Sequence, residues 1–284
     1  MSAVGASGTL TIGGDLEVHR LGFGAMRIVG DGVWGPPRDR DVALDVLRRV
    51  VSLGIDLIDT ADSYGPHISE QLIAEALHPY ADGLLLATKG GMQRSGPGQW
   101  TRNGRPEHLR AACEQSLRDL RVERIDLYQL HAPDSDVPYE ESVGALAELQ
   151  DEGKIRHIGV SNVTVEQLDE ARSIVDVVTV QNRYNLTDRS SQDVLEVCER
   201  DGLGFVPWFP LAAGKLADPG GPVAEIARAH DATPGQVALS WLLARSPVML
   251  PIPGTGSLEH LQENVDAAEL ELDEPELRRL DDAA

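Results

Sequence analysis

The feature that most constrains the fold is an alternation. Eight short apolar runs, HRLGFG, IDLIDT, LLLATK, IDLYQLH, HIGVSN, VVTVQN, GFVPW and VMLPIP, recur along 284 residues. Each is bounded by turn residues, as buried strands are. Between them lie amphipathic stretches such as RDVALDVLRRVVSLG, PEHLRAACEQSLRDL, PYEESVGALAELQDEG and SSQDVLEVCERDG, several of which end in glycine as helices commonly do. Eight strand-helix units without a break in composition predict a single (β/α)8 TIM barrel domain spanning residues 1–284. A glycine-turned hairpin, TLTIGGDLEV, precedes the first unit and is expected to cap the N-terminal end of the barrel.

Composition removes several classes of function. The formal net charge of -21 repels nucleic acid and anionic lipid, so neither is expected as a partner. No apolar run approaches the roughly 18 residues that span a bilayer, and MSAVGASGTL has neither the basic start nor the apolar centre of a secretion signal. A soluble, cytoplasmic protein is expected. Cys113 and Cys198 lie far apart in helical contexts, which indicates buried thiols rather than a disulfide or a thiolate metal site. No metal is expected, and nothing in the sequence indicates an oligomeric state.

In a barrel of this kind, chemistry collects at the C-terminal ends of the strands and in the loops that follow. Asp59 and Tyr64 follow the second run, Lys89 the third, His131 the fourth and Ser161-Asn162 the fifth. The sixth ends in Gln181-Asn182, the seventh in Trp208 and the eighth in Pro253-Gly254-Thr255. Each has an ordinary reading: a strand-end aspartate caps helices, a lysine faces solvent and a histidine hydrogen-bonds. Lys89 resists that reading, because only Lys89, Lys154 and Lys215 occur in a chain that otherwise uses arginine.

The set Asp59, Tyr64, Lys89 and His131 resembles, in order and local context, the catalytic tetrad of the aldo-keto reductase superfamily. IDTADSYG, ATKGG, DLYQLHAPD, RHIGVSNV, VQNRYNL and PWFPLAAGKL are similar to that family's signature segments and cover almost the whole chain. The similarity is to bacterial members with a short C-terminal end, a group that includes pyridoxal reductases. It implies a (β/α)8 fold and reduction of a small aldehyde or ketone to an alcohol by a nicotinamide cofactor, without metal.

On that reading Tyr64 donates the proton to the oxygen that gains negative charge as hydride reaches the carbonyl carbon. Lys89, a compact cation, is expected to lower the phenol pKa from its ordinary value near 10. Asp59 holds Lys89, and a neutral His131 orients the carbonyl. Asp62 and Ser63 read as turn residues.

The resemblance also implies the cofactor contacts. Ser161, Asn162 and Gln181 match positions that bind the nicotinamide carboxamide, and Trp208 matches the ring on which it stacks. Gly24, Ala25 and Met26 of LGFGAM lie beside the cofactor in the family; the segment lacks the third glycine and the crossover of a Rossmann fingerprint. Phe209, Pro210, Leu211, Gly214 and Lys215, with Ile252, Gly254, Thr255, Ser257 and His260, match the pyrophosphate and adenosine sites, and Glu263 and Asn264 match adenine contacts. A Gly, Thr and Ser-rich helix start offers backbone N–H groups to phosphate. The basic residues that clamp a 2′-phosphate in many relatives are replaced here by Gly254 and His260; the resemblance to the family still implies NADPH, with NADH as a second coenzyme.

The segment GGMQRSGPGQWTRNGR reads as a long turn-rich loop, a lid or binding wall. Trp34 and Trp100, on two rim loops, are candidate walls of an apolar substrate pocket. Two other classes fit parts of the pattern: a nicotinamide-binding regulatory subunit with slow turnover, and a Schiff-base lyase using Lys89.

Overall fold

The computed structural model describes residues 3–211 and 221–283. Strands β1 (Thr9–Ile12) and β2 (Leu16–His19) form the antiparallel N-terminal hairpin. Gly13 and Gly14 at its tip have φ of 59° and 79°, a left-handed pair that favours glycine. The barrel proper begins with β3 (Phe23–Gly24) and α1 (Arg40–Ser52), then β4 (Leu57–Asp59), α2 (Ile68–Leu77) and β5 (Leu85–Gly90). A second hairpin, β6 (Met92–Gly96) and β7 (Gln99–Arg102), leads to α3 (Pro106–Leu120), β8 (Ile125–Leu130) and α4 (Tyr139–Asp151). The chain continues through β9 (Ile155–Ser161), α5 (Val165–Arg172), β10 (Val177–Gln181), α6 (Gln192–Asp201) and β11 (Gly204–Phe205). It finishes with α7 (Pro222–Ala229), α8 (Pro234–Arg245), α9 (Leu258–Asp266) and α10 (Glu274–Asp282). Cys113 and Cys198 are buried free thiols on α3 and α6.

The helices start where side chains replace missing backbone partners. Thr164, Thr233 and Asp273 each open a helix with a reciprocal capping box to Gln167, Gln236 and Glu276. Asp39 accepts from the Val42 N–H at the start of α1.

Seven parallel strands run in the order β11-β10-β9-β8-β5-β4-β3. The eighth apolar run closes the circle by hydrogen bonds to both edges rather than by a regular ladder. Phe205 N–H donates to Val248 O and Leu250 N–H to Phe205 O on one side, while Gly22 N–H donates to Pro251 O on the other. Pro251 and Pro253 lack the N–H groups a full ladder needs, which explains the irregular closure. A Cβ on Gly24 would lie 2.6 Å from Ile252 O, so the contact requires glycine.

Inside the barrel the side chains form layers. Ile12 and Val18 of the hairpin cluster with Leu57, Leu85, Leu127, Val206, Leu250 and Ile252, and so plug the lower end as expected. Further along three of these strands, on the same face, stand Asp59 and Gln129, two residues beyond Leu57 and Leu127, and Lys89, four beyond Leu85, all buried. Here Lys89 Nζ donates to Asp59 Oδ2 at 2.6 Å and to Thr60 O at 2.7 Å, with the lysine 0% exposed. A register shift between Val177 and Thr179 on β10 lets Val178 join the apolar layer below while Gln181 reaches Asp59 above. Outside, Glu70 on α2 is fully buried and accepts from Thr88 Oγ1 at 2.6 Å.

Two outcomes follow. Replacing Lys89 by Met leaves the Asp59 charge uncompensated in the barrel, and urea unfolding should show a loss of about 3–5 kcal/mol at neutral pH, less for the paired Lys89→Met/Asp59→Asn variant. Burial raises the Glu70 carboxyl from 4.5 to about 7. Between those values the unfolded chain releases a proton that the native state keeps, so native stability falls as pH rises through this window, by up to about 3 kcal/mol. Glu70→Gln should be more stable than wild type at pH 8, with the difference closing by pH 4.

Candidate active site

The strand ends open into a cavity of about 1000 Å³. Asp59, Tyr64 and His131 lie in its wall, with Trp100 to one side and Ser161, Asn162, Gln181 and Trp208 to another. Gly24, Met26, Phe209, Pro210, Leu211, Ile252, Gly254, Thr255, Ser257 and His260 continue the lining toward the start of α9. Lys89 sits behind this surface, and its Nζ is 5.3 Å from the Tyr64 ring centroid.

Electrostatics assigns the protonation states. Burial lowers the Lys89 pKa, but the charges of Asp59 and Tyr64 and their hydrogen bonds outweigh it, so the ammonium is held charged. Burial, aided by the Lys89 charge, pushes His131 well below the ordinary imidazole range, so its ring is neutral at pH 7. Tyr64 departs from expectation. Lys89 does act to lower its pKa, but burial is the larger effect and Asp59 adds to it, so the phenol is net raised. The cation limits the cost of desolvation instead of making the phenol a stronger acid.

The polar groups are mutually anchored. Asp59 Oδ1 accepts from Gln181 Nε2 at 2.8 Å and from Gln129 Nε2 at 3.2 Å. Asn162, at φ 59°, donates Nδ2 to His131 O at 2.9 Å, and its Oδ1 accepts the Trp208 indole N–H at 3.0 Å. These bonds fix the edge of the Trp208 ring, and the Arg183 guanidinium lies 5.7 Å from its centroid.

Several expected residues stand elsewhere. Trp34 does not line the cavity, where Val33 is found instead, because Trp34 pairs its backbone with Gly65 and lies beneath Arg94. Ala25, Glu263 and Asn264 are also absent from the wall, the last two being on α9 beyond its first turn. Gly214 and Lys215 fall outside the described residues. The supposed loop from Gly90 to Arg105 contains the β6-β7 hairpin, turned at Pro97-Gly98 with Gly98 at φ 69°. Asp62 and Ser63 do form a turn, but Ser63 Oγ also lies 3.4 Å from His131 Nδ1. Asp62 Oδ1 is buried without a partner.

Other residues were missed from sequence. Gln129 lies two positions before His131, so strand periodicity could have placed it on the inward face. Arg27 and Met92 line the cavity; Arg27, directly after LGFGAM, was the available cationic signal.

Gly254, Thr255, Gly256 and Ser257, at the N-terminal end of α9, line the cavity with Arg27, a donor set suited to a diphosphate. At the other end Gln181 keeps its Oε1 for an amide donor, since Nε2 serves Asp59. The residues therefore fit a nicotinamide dinucleotide.

The family model described as Aldo/keto reductase family matches residues 20–284. The chain is 49% identical over 283 residues to an uncharacterized oxidoreductase of Schizosaccharomyces pombe, covering 99% of this chain and 92% of that protein. It is 44% identical over 283 residues to a pyridoxine 4-dehydrogenase of Escherichia coli, covering 97% and 98%. Among solved structures, an aldo-keto reductase from Klebsiella pneumoniae in complex with NADPH superposes with a TM-score of 0.81 at 30% identity, covering 96% of this chain and 94% of that one. A barrel built this way, with these strand-end residues and a family match over nearly its whole length, belongs to the aldo/keto reductase family.

Proposed function

We propose that this oxidoreductase reduces an aldehyde to a primary alcohol at the expense of NADPH, and that its substrates are planar ring aldehydes of the pyridoxal type. The observation that carries this reading is the buried Lys89-Asp59 pair directly behind Tyr64, with neutral His131 beside it in one cavity wall. The 44% identical relative named pyridoxine 4-dehydrogenase supports the substrate class, and the NADPH complex of the Klebsiella pneumoniae protein supports the coenzyme.

When bound, the reduced nicotinamide supplies a hydride. Tyr64 gives its phenolic proton to the carbonyl oxygen, and the resulting phenolate faces the Lys89 ammonium. His131, neutral, donates a ring N–H to the same oxygen and orients it. Asp59 keeps Lys89 charged and aligned. Gln181 offers its carbonyl oxygen to the carboxamide, Trp208 offers its ring face, and Arg27 with the start of α9 faces the diphosphate.

Schiff-base chemistry is disfavoured, because it needs a neutral, accessible amine. Lys89 is fully buried, raised in pKa and already bonded to Asp59 and Thr60. The regulatory-subunit reading gains no observation of its own among the described residues.

Tyr64→Phe should lower kcat for pyridoxal reduction by about 10²–10⁴-fold while NADPH affinity, measured by calorimetric titration, is unchanged. Equal turnover in the two proteins would remove Tyr64 as the proton donor. The pH profiles carry a separate expectation. Because the Tyr64 pKa is raised, its reactive protonated form persists through neutral pH, so reduction should be flat from about pH 7 to 9 and decline only at or above the ordinary phenol value near 10. Alcohol oxidation, which needs the phenolate, should rise over the same range. A reduction profile that falls through pH 7 to 8 would contradict this assignment.

A further inference from the structure

Arg94, in the middle of β6, is tied to more backbone than any role in solvation requires. Its Nη1 donates to Val33 O at 2.7 Å and Ser63 O at 3.1 Å, and its Nη2 to Gly32 O at 2.7 Å and Gly96 O at 3.4 Å. Its Nε donates to Gln99 O at 3.0 Å. These carbonyls belong to three separate rim segments: the loop before α1, the turn that carries Tyr64, and the β6-β7 hairpin itself. The planar guanidinium meanwhile lies over the Trp100 ring, with its central carbon 3.6 Å from the ring centroid, and 5.8 Å from that of Trp34.

The other contacts of Trp100 point toward the reacting groups. Its ring meets Tyr64 edge-on at 6.4 Å and 86°, and lies 6.3 Å and 70° from His131. Trp100 lines the main cavity, whereas Arg94 is absent from that lining. A hairpin of this length is marginal alone. The Gly98 N–H at its turn also donates to Gly32 O at 3.0 Å, but that bond reaches only the loop before α1, whereas Arg94 bonds that loop, the Tyr64 turn and the hairpin together.

We propose that Arg94 is a positioning residue that fixes the Trp100 ring as one wall of the substrate site, and thereby sets a preference for ring aldehydes over short aliphatic ones. The proposal deepens the reductase reading given above and rests on it for the reaction. Only arginine suits the position: the five donors of its planar fork meet five carbonyls while its face covers an indole. Lysine, a point charge with three donors and no flat face, cannot do both. The selectivity follows because a ring substrate has a face to lay against the indole, while a short aldehyde needs only Tyr64 and His131.

The test compares wild type, Arg94→Ala, Arg94→Lys, Trp100→Ala and the Arg94→Ala/Trp100→Ala pair, with pyridoxal and propanal as substrates and calorimetric binding of pyridoxine to the NADP⁺-loaded protein. Arg94→Ala should raise KM for pyridoxal about tenfold with kcat little changed, leave KM for propanal within about twofold, and weaken pyridoxine to a similar degree. Lysine should not restore either value. The double variant should be no worse than Trp100→Ala, because Arg94 acts through that ring. Equal effects on both aldehydes, additivity in the double variant, or rescue by lysine would overturn the proposal. Absence of turnover in wild type would defeat the reductase reading alone, since pyridoxine binding still reports on Arg94. Unaltered pyridoxine affinity in Arg94→Ala, or no pyridoxine binding by wild type, would defeat the positioning role.

Discussion

The site is organised around a charge pair held where water does not reach. Placing an ammonium and a carboxylate inside a barrel is unfavourable unless their attraction is joined by further hydrogen bonds. Lys89 donates to Asp59 and to the Thr60 carbonyl, and Asp59 accepts from Lys89, Gln129 and Gln181. Strands β4, β5, β8 and β10 each contribute a member, so the pair ties the barrel together across its interior as well as supporting Tyr64. Beneath it lies a cluster of apolar side chains, sealed by Ile12 and Val18 of the hairpin. That seal keeps the dielectric low and the pair strong.

The same low dielectric explains the behaviour of Tyr64 and His131. An isolated lysine near a phenol would be expected to make it more acidic. In this site burial works harder in the other direction, and the nearby Asp59 partly cancels the lysine field. The consequence is a phenol that keeps its proton through neutral pH, beside an imidazole that stays neutral. Both are the protonation states that the proposed reduction requires.

The rim has a different logic from the floor. The floor is rigid because strands carry it, whereas the substrate side is built from loops and a small hairpin that need added restraint. Arg94 supplies that restraint through backbone carbonyls rather than through another charge. This also accounts for Trp34. Its aromatic character suggested a pocket wall, yet its backbone bridges Gly65 and its ring lies under the guanidinium, so it buttresses the wall from outside.

The sequence by itself determined the seven regular strands, the eighth run that closes the circle, the capping hairpin and the placement of Asp59, Tyr64 and His131 at strand ends or just beyond, because these follow from short-range periodicity and from the rule that barrel chemistry gathers at one end of the strands. It also held enough to find Gln129, two residues before His131. Tertiary structure alone decided which side of β10 faces inward, since that turns on the register shift around Val178. It decided the hairpin within Gly90–Arg105 and the absence of Trp34 from the wall, because strand pairing and ring contact join residues from different units. It decided the net direction of the Tyr64 shift as well. Desolvation is a collective property of everything packed around a group, and no local pattern of residues encodes that sum.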